Sequence, residues 1–339
     1  MADAPEQNLK APLRRLVGVQ AIATGSYVPE LVVRNEDLAQ YGCDPEWILQ
    51  RTGIRERRHT PPGMCTSDLA VAAARKAMDR AGVSASDIDL LVLGTFSPDL
   101  PIPSTASQVQ NKLKLRCPAF DVAAACAGFT YALVTGAQFV ATGCSRLAMV
   151  IGADANSRVV QPQDKKTYPL FGDGSGAVLL TRGEENQGLI AYAMGSDGSG
   201  EDLLYMKSGG SRSPASVETV QRGEHFMRME GRSVFKWAVR VIARSVRDVL
   251  DFAKLSTDDI DLVVLHQANV RILDAAAEEL GIDRCKMFVN LEKYGNTSAG
   301  SIPLALDEAV QQGRVRRGNN ILMCGFGAGL VWGTILWRW

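Results

Sequence analysis

Apolar residues recur at helical spacing in two long stretches of the chain, Ser67–Ala81 and Val234–Lys254. Each stretch is followed by Asp-Ile-Asp and then by a short apolar run, Leu90–Leu93 in one case and Leu262–Leu265 in the other. Continuous apolar runs of this length are typical of strands that are buried on both faces of a sheet. Helices that alternate with such strands predict an α/β fold whose sheets are covered by helices.

The two stretches belong to an internal repeat with an offset of 172 residues. Val83–Gly94 and Leu255–His266 are identical at seven of twelve aligned positions. The same offset places Cys126–Gly128 on Ser298–Gly300, and it also superimposes two later apolar runs. Three matches at one offset indicate that the chain contains two related halves. Two unrelated α/β domains remain the alternative.

The repeat divides the 339 residues into two halves of similar size. We predict an N-terminal half over residues 17–185 and a C-terminal half over residues 186–339, which meet near the polar stretch Arg182–Gln187. Residues 1–16 are polar and contain proline, and we predict a loose, flexible tail there. The two halves are expected to pack together into one layered α/β body.

Composition narrows the classes of protein and partner. Lys plus Arg and Asp plus Glu number 37 each, so we expect no general attraction to nucleic acid or to an anionic membrane. No apolar run reaches the roughly 18 residues of a membrane span, and we expect no secretion signal. The seven cysteines are scattered and form no C-x-x-C pair. This pattern favours reduced thiols in the cytoplasm over disulfides or a zinc site.

Cys126 is the first candidate for chemistry. It lies among small residues in Asp121–Thr130 and just before a predicted helix, Phe129–Phe139. The positive end of a helix macrodipole lowers the pKa of a thiol and favours the reactive thiolate. Small neighbours also let a substrate approach closely. A cysteine that serves only for packing remains the alternative.

His266 is the second candidate, because it directly follows the buried strand Leu262–Leu265 and begins the run His266–Asn269. Ends of strands are where α/β folds place functional residues. A core histidine with a satisfied hydrogen bond is the alternative. The other two histidines, His59 and His225, lie in polar, charge-rich stretches, and we predict that they are surface residues.

Asn296 is the third candidate. It lies in Tyr294–Pro303, which leads into the helix that the repeat relates to the helix after Cys126. Asn296 therefore falls near the counterpart of the cysteine, and we predict that Cys126, His266 and Asn296 converge where the halves meet. A turn or N-cap residue is the alternative. Gly325–Gly329 follows another buried strand, so its backbone N–H groups are candidates to stabilise an oxyanion.

Taken together, these motifs closely resemble the ketoacyl synthase III family, the initiating condensing enzymes of bacterial type II fatty-acid synthesis. The resemblance begins at about residue 17 and covers nearly the whole remaining chain. It implies a thiolase-like fold of five layers, αβαβα, with two pseudo-symmetric halves. The stretches that carry the resemblance are Gly25–Pro29, Glu46–Glu56, Asp121–Thr130, Phe171–Gly176, His266–Asn269, Gly295–Ser298 and Gly325–Gly333.

The resemblance also assigns roles to individual residues. Cys126, His266 and Asn296 match the catalytic residues, and the backbone N–H groups of Cys126 and Ala328 match the oxyanion site. Lys236 and Arg271 match the rim where the acyl carrier protein docks. The positions that match the coenzyme A and pantetheine site are Trp47, Arg51, Lys165, Gly231, Phe235 and Asn269.

Two of these positions depart from the family pattern. Lys165 stands where some members stack an arginine on the adenine, and lysine lacks the planar face for that contact. Ile102 stands where some members have a phenylalanine that reaches the acyl pocket of the partner subunit. The resemblance therefore does not predict which acyl chain of the acyl-coenzyme A substrate is preferred.

The implied enzyme is a homodimeric acyltransferase that condenses an acyl-coenzyme A primer, expected to be acetyl-coenzyme A, with malonyl-acyl carrier protein. An acyl-Cys126 intermediate forms first, and loss of CO₂ then drives formation of the 3-oxoacyl product. Neither a metal nor a redox cofactor is implied. Two alternatives stay open: an acyltransferase or condensing enzyme of secondary metabolism, and a non-catalytic subunit that binds a carrier protein.

A stripe of cations on the predicted helix Val234–Lys254 suggests where the carrier protein docks. Lys236, Arg240, Arg244 and Arg247 are spaced four, four and three residues apart, which keeps them on one face of a helix. An acidic carrier protein would be attracted to such a stripe beside the tunnel mouth. A solvated helix face is the alternative.

Overall fold

A computed structural model describes residues 10–339 of the chain. Its strands are β1 Leu13–Val17, β2 Val19–Tyr27, β3 Leu31–Arg34, β4 Glu56–His59, β5 Leu90–Gly94, β6 Ala119–Val122, β7 Leu147–Ala155, β8 Asp173–Arg182, β9 Gly188–Gly195, β10 Leu204–Met206, β11 Met227–Met229, β12 Leu262–Leu265, β13 Asn320–Gly327 and β14 Val331–Arg338. Its helices are α1 Pro45–Thr52, α2 Thr66–Ala81, α3 Thr105–Leu113, α4 Gly128–Ala141, α5 Val217–Gln221, α6 Gly231–Ala253, α7 Val270–Leu280, α8 Leu291–Tyr294 and α9 Ser301–Gln311.

Two mixed sheets of five strands form the framework. Their strand orders are β2-β8-β7-β5-β6 and β1-β9-β14-β13-β12. β5 pairs in parallel with β7 in the first sheet, as β12 does with β13 in the second. The next pair in each sheet, β7 with β8 and β13 with β14, is antiparallel. Four strands of each sheet, β2-β8-β7-β5 and β9-β14-β13-β12, therefore repeat one topology, and the predicted duplication is confirmed. The fifth strands, β6 and β1, lie at opposite edges.

Helices α4 and α9 lie between the two sheets. Phe129 and Leu133 of α4 pack in one buried cluster with Ile302 and Leu306 of α9 and with strand residues of both sheets. The Ala-rich α2 and its neighbour α3 cover the outer face of the first sheet, while α6 and α7 cover the second. The order of layers is αβαβα, which confirms the predicted thiolase-like fold. Within residues 10–339, no helix combines the length and apolarity needed to cross a membrane.

The repeat shifts by one residue before the two 3₁₀ turns that contain Cys126 and Ser298. Ala125 and Ser298 are both left-handed, with φ of 44° and 51°, and each begins a short 3₁₀ turn. The helices that follow begin at Gly128 and Ser301. The structural counterpart of Cys126 is thus Ala299, and the predicted match to Ser298 is wrong by one position. Sequence identity does not reveal a one-residue insertion in a loop, whereas the backbone conformation does.

The predicted tail is wrong at its C-terminal end. Leu13–Val17 is strand β1, which pairs antiparallel with β9 and closes one edge of the second sheet. An exposed strand edge leaves backbone groups unpaired, and β1 satisfies those of β9. Residues 1–9 lie outside the described residues. We keep the division at residues 185 and 186 as a proposal, which the break between β8 and β9 supports.

Candidate active site

One deep cavity of about 830 Å³ brings the three candidate residues together. Cys126 lies in the 3₁₀ turn before α4, and His266 directly follows β12. Asn296 lies two residues before the corresponding turn that leads into α9. All three side chains line the cavity, so the predicted convergence is present in the structure. Their catalytic roles remain predictions.

Burial dominates the electrostatics of Cys126. The side chain is 6 % exposed, and burial raises the pKa of its thiol to about 12. The Ser298 hydroxyl, which donates to Sγ at 3.3 Å, lowers this pKa, whereas the charge of Asp154 raises it. The prediction that the helix end depresses the thiol pKa is therefore wrong, because desolvation of a buried thiolate outweighs it. At neutral pH the resting group is therefore the thiol, and only a small fraction is thiolate.

His266 is also buried, and burial lowers the pKa of its imidazole to about 3. The ring is consequently neutral at physiological pH. Its Nδ1 lies 2.7 Å from the hydroxyl of Ser301, and the ring packs edge-on against Phe326 with centroids 5.1 Å apart. A neutral imidazole in this position can donate a hydrogen bond into the cavity, but it does not hold a stable positive charge.

The Asn296 side chain is oriented by its own turn. Its Oδ1 accepts a hydrogen bond from the backbone N–H of Ser298 at 2.8 Å. The amide NH₂ is therefore the end that remains available to the cavity as a donor. The backbone of Asn296 is fixed as well, since its N–H donates to the Leu170 carbonyl and its carbonyl accepts from the Gly172 N–H.

Asp154 anchors the same turn and was missed by sequence reasoning. One oxygen of this fully buried carboxylate accepts from the Ala299 N–H at 3.0 Å. The other oxygen accepts from the hydroxyl and amide groups of Thr95, Phe96 and Ser97. Burial raises the pKa of Asp154, and these donors oppose the shift. The chain separation of 145 residues hides this contact from any local pattern.

The end of β13 approaches Cys126 closely. A Cβ atom added to Gly327 would lie 2.8 Å from the Cys126 amide nitrogen, so only glycine allows this contact. Ala328, whose N–H is predicted to bind an oxyanion, immediately follows Gly327. Gly329 is left-handed, with φ of 74°, which turns the chain sharply into β14. The oxyanion role of the Cys126 and Ala328 amides stays a prediction.

The predicted coenzyme A and carrier-protein residues all line the cavity. Cationic side chains dominate among its charged lining residues, and Glu230 is the one acidic residue that residues 10–339 contribute to the lining. Lys166 and Arg232 were missed, although each is adjacent in sequence to a residue that was predicted. The lining residues from the prediction are Trp47, Arg51, Lys165, Gly231, Phe235, Lys236, Asn269 and Arg271.

A buried arginine supports one wall of the cavity. Arg57 is fully buried, and its guanidinium donates to the Asn35 side chain, to the Pro169 carbonyl and to a carbonyl of β3. Burial lowers the pKa of Arg57 to about 10. Leu170, the next residue along the wall, accepts the backbone N–H of Asn296. Arg57 therefore connects the wall to the Asn296 turn.

Ile102 does not reach the cavity of its own chain. Its side chain is 84 % exposed, and it is absent from the cavity lining. The predicted contact with an acyl pocket requires a second copy of the chain. That role stays a prediction.

Only part of the predicted cationic stripe on α6 is free of neighbouring carboxylates and can attract an acidic partner. Lys236 lines the cavity. Arg247 is bound to Glu279 at 2.8 Å, and Arg244 lies 4.0 Å from Asp248. The distal half of the stripe is thus neutralised by neighbouring carboxylates, and the available positive charge is concentrated near Lys236.

The prediction that His59 is a surface residue is wrong. His59 is 7 % exposed, lies on β4 and packs edge-on against Tyr168. Burial lowers its pKa, while the charge of Asp173 acts in the opposite direction. The polar residues next to His59 in the sequence gave a misleading signal. Successive residues of a strand face opposite sides, so an exposed neighbour does not imply that His59 is exposed.

Comparison with known proteins identifies the family. Residues 120–198 match the family model for 3-oxoacyl-[acyl-carrier-protein] synthase III, and residues 250–339 match the model for its C-terminal region. A curated relative from Rhodopirellula baltica, beta-ketoacyl-[acyl-carrier-protein] synthase III, is 52 % identical over 96 % of this chain and 99 % of its own.

Solved structures give the same result. The 3-oxoacyl-[acyl-carrier-protein] synthase III of Aquifex aeolicus VF5 superimposes with a TM-score of 0.87 and 42 % identity, covering 95 % of this chain and 100 % of that one. The priming beta-ketosynthase from the R1128 polyketide biosynthetic pathway has a TM-score of 0.86 and 34 % identity, and the match covers 98 % of this chain and 99 % of that one. The chain therefore belongs to the 3-oxoacyl-[acyl-carrier-protein] synthase III family.

Proposed function

We propose that this protein condenses an acyl-coenzyme A primer, acetyl-coenzyme A in the first instance, with malonyl-acyl carrier protein. The product is a 3-oxoacyl-acyl carrier protein, and the reaction initiates type II fatty-acid synthesis. One observation carries the proposal: Cys126, His266 and Asn296 line a single cavity whose charged lining is mostly cationic. The relatives are named beta-ketoacyl-[acyl-carrier-protein] synthase III and 3-oxoacyl-[acyl-carrier-protein] synthase III, and these names support the same activity.

In the first half-reaction, Sγ of Cys126 attacks the thioester carbon of acyl-coenzyme A. The backbone N–H groups of Cys126 and Ala328 stabilise the tetrahedral oxyanion. The bond from carbon to the coenzyme A sulfur then breaks, and the proton lost by Cys126 leaves with the coenzyme A thiol. The acyl group remains on Cys126 as a thioester.

In the second half-reaction, malonyl-acyl carrier protein occupies the same cavity. His266 and the Asn296 amide donate hydrogen bonds to its thioester oxygen and stabilise the enolate that forms as CO₂ leaves. The enolate carbon attacks the acyl thioester, a carbon–carbon bond forms, and the bond to Sγ of Cys126 breaks. The departing thiolate takes up a proton from water and returns to the thiol. The proposal includes neither a metal nor a redox cofactor.

Cations at the mouth serve both substrates. Arg51, Lys165 and Trp47 are proposed to hold the nucleotide end of coenzyme A, and Trp47 is half exposed, as a stacking surface requires. Lys236 and Arg271 are proposed to orient the acidic carrier protein. We also propose a homodimer, in which Ile102 contacts the acyl pocket of the other copy, and a cytoplasmic location, in which the cysteines stay reduced.

The proposal is tested by intact-mass measurement of the purified protein after incubation with a panel of acyl-coenzyme A donors. We expect one acyl group on Cys126, removed when malonyl-acyl carrier protein is added and recovered as 3-oxoacyl-carrier product. A non-catalytic carrier-binding subunit would show no acylation. An acyltransferase would transfer the acyl group to another nucleophile without releasing CO₂.

A further inference from the structure

The hydroxyl of Ser301 lies between two nitrogen atoms beside the cavity. Its Oγ is 2.7 Å from Nδ1 of His266 and 3.4 Å from the backbone nitrogen of Gln267. Ser301 is the first residue of α9 and is 2 % exposed, so bulk water does not replace either contact.

The two contacts are not equivalent, because a backbone N–H is always a donor. The Gln267 amide donates to Oγ, which fills one lone pair of the hydroxyl. Among residues 10–339, the only other hydrogen-bond partner of Oγ is His266 Nδ1. The direction of this second hydrogen bond therefore depends on whether Nδ1 carries a proton.

Only one tautomer of a neutral His266 gives the buried Ser301 hydroxyl proton an acceptor. With a proton on Nδ1, Ser301 would accept twice, and its own buried hydroxyl proton would have no acceptor. With a proton on Nε2, the Ser301 hydroxyl donates to Nδ1 and the Gln267 amide donates to Ser301, while the Nε2–H is left to donate toward the cavity that His266 lines. The Ser301 hydroxyl proton thus favours the second arrangement, because Nδ1 is its one acceptor among residues 10–339.

We infer that Ser301 is a positioning residue that fixes His266 in the Nε2–H tautomer and aims that proton into the cavity. The inference rests on the proposed function, in which His266 must donate to the thioester oxygen of the malonyl substrate. Ser301 itself touches no reacting atom. Its expected effect is on the second half-reaction alone, since acylation of Cys126 does not use His266 as a donor.

The tautomer is measured directly by ¹⁵N NMR of the histidine rings in the full-length protein. Because the chain contains three histidines, the His266 signals are assigned by their absence in His266→Gln. We expect the wild-type protein to carry the proton on Nε2 across neutral pH. Nδ1 protonation in the wild-type protein would overturn the inference. This measurement needs no substrate, so it is independent of the proposed activity.

Kinetics of Ser301→Ala provide the second measurement. We expect the Nε2–H population to fall and the kcat for malonyl decarboxylation to drop about tenfold, the effect of one hydrogen bond. Formation of acyl-Cys126 should stay within about twofold of wild type, and Ser301→Thr, which keeps the hydroxyl, should recover most of the lost rate. Wild-type decarboxylation by Ser301→Ala would overturn the inference, as would an unchanged tautomer.

Ser145→Ala is the matched control. Ser145 is another serine that is 2 % exposed, and its hydroxyl donates to a side chain, Asp89, away from the cavity. We expect this variant to leave both half-reactions and the His266 signals unchanged. An equal loss of decarboxylation in Ser145→Ala would mean that the Ser301 effect is only structural, and it would overturn the inference. If wild-type protein neither acylates nor condenses, the proposed function fails while the tautomer result stands.

Discussion

At the scale of single residues, Cys126 and His266 share one cavity, and burial shifts the pKa of each side chain toward its neutral form. Burial raises the pKa of the Cys126 thiol to about 12 and lowers the pKa of the His266 imidazole to about 3. Ion-pair formation between the two side chains before substrate binds is therefore unfavourable. The resting site is a neutral thiol beside a neutral hydrogen-bond donor.

The raised thiol pKa predicts how Cys126 reacts with iodoacetamide. Because the thiolate is the nucleophile, the rate of alkylation should rise about tenfold per pH unit from pH 6 to pH 9 without reaching a plateau. Peptide mass mapping distinguishes Cys126 from the other six cysteines. Ser298→Ala should react more slowly at each pH, because it lacks the donor to Sγ. A plateau below pH 8 would contradict the raised pKa.

The two half-reactions should separate by mutation. Cys126→Ala should abolish acyl transfer and retain some malonyl decarboxylation, because His266 and Asn296 remain. His266→Ala or Asn296→Ala should reduce decarboxylation by about a hundred- to a thousand-fold, equal to ~3–4 kcal/mol of oxyanion stabilisation. Release of CO₂ and intact mass report the two steps. Equal loss of both activities in a folded variant would contradict this division.

At the scale of secondary-structure elements, the first turns of α6 differ from its distal end. Lys236 lines the cavity, whereas Arg247 is bound to Glu279 on the outer surface. The helix is amphipathic, and its apolar side packs on the second sheet through residues such as Trp237 and Val241. Its polar side therefore presents available positive charge mainly beside the cavity mouth.

This difference predicts that Lys236→Glu raises KM for malonyl-acyl carrier protein roughly fivefold, the effect of about 1 kcal/mol. Acylation by acyl-coenzyme A should change little, and the defect should shrink at high salt, where charges are screened within a few ångströms. Steady-state kinetics at two salt concentrations measure both effects. Arg247→Glu on the same helix is the control and should leave carrier kinetics unchanged. Equal effects of the two reversals would exclude a local docking surface at Lys236.

At the scale of the whole molecule, the site exists only because the two halves pack closely. Gly152 of β7 lies against the backbone carbonyl of Ala299, the structural counterpart of Cys126. Gly300, the next residue of the same turn, approaches Gly174 of β8 in the same way. Residues without side chains let the Asn296 turn of one half rest directly on the sheet of the other.

Gly152→Ala should therefore disturb the site from a distance. Its Cβ atom would overlap the Ala299 carbonyl, so the backbone must shift, and we expect the free energy of unfolding to fall by about 3 kcal/mol. Decarboxylation should decrease more than acylation, since the shift moves the Asn296 turn. Urea unfolding and the two half-reaction assays measure these effects. Gly198→Ala, where an added Cβ meets nothing within 4 Å, should be neutral.

Much of the fold could be predicted because its evidence is local or repetitive. The helical spacing of Ser67–Ala81 anticipates α2, and the matched runs before Gly94 and His266 anticipate equivalent strands. Apolar periodicity reflects which face of an element is buried, so it survives in the sequence of each half. The small residues around Cys126 and the turn residues around Asn296 likewise predicted that these two positions belong to the site.

What the sequence by itself determined is the alternation of elements, the duplication and the identity of the candidate catalytic side chains. Only the tertiary structure decided the ionisation of Cys126, the direction of the Asn296 amide, the one-residue shift of the repeat and the place of β1. Each of these depends on burial or on hydrogen bonds between distant residues, such as that from Ala299 to Asp154. Such contacts leave no local pattern, because the solvent exposure of a group is set by the assembled chain and not by its neighbours in sequence.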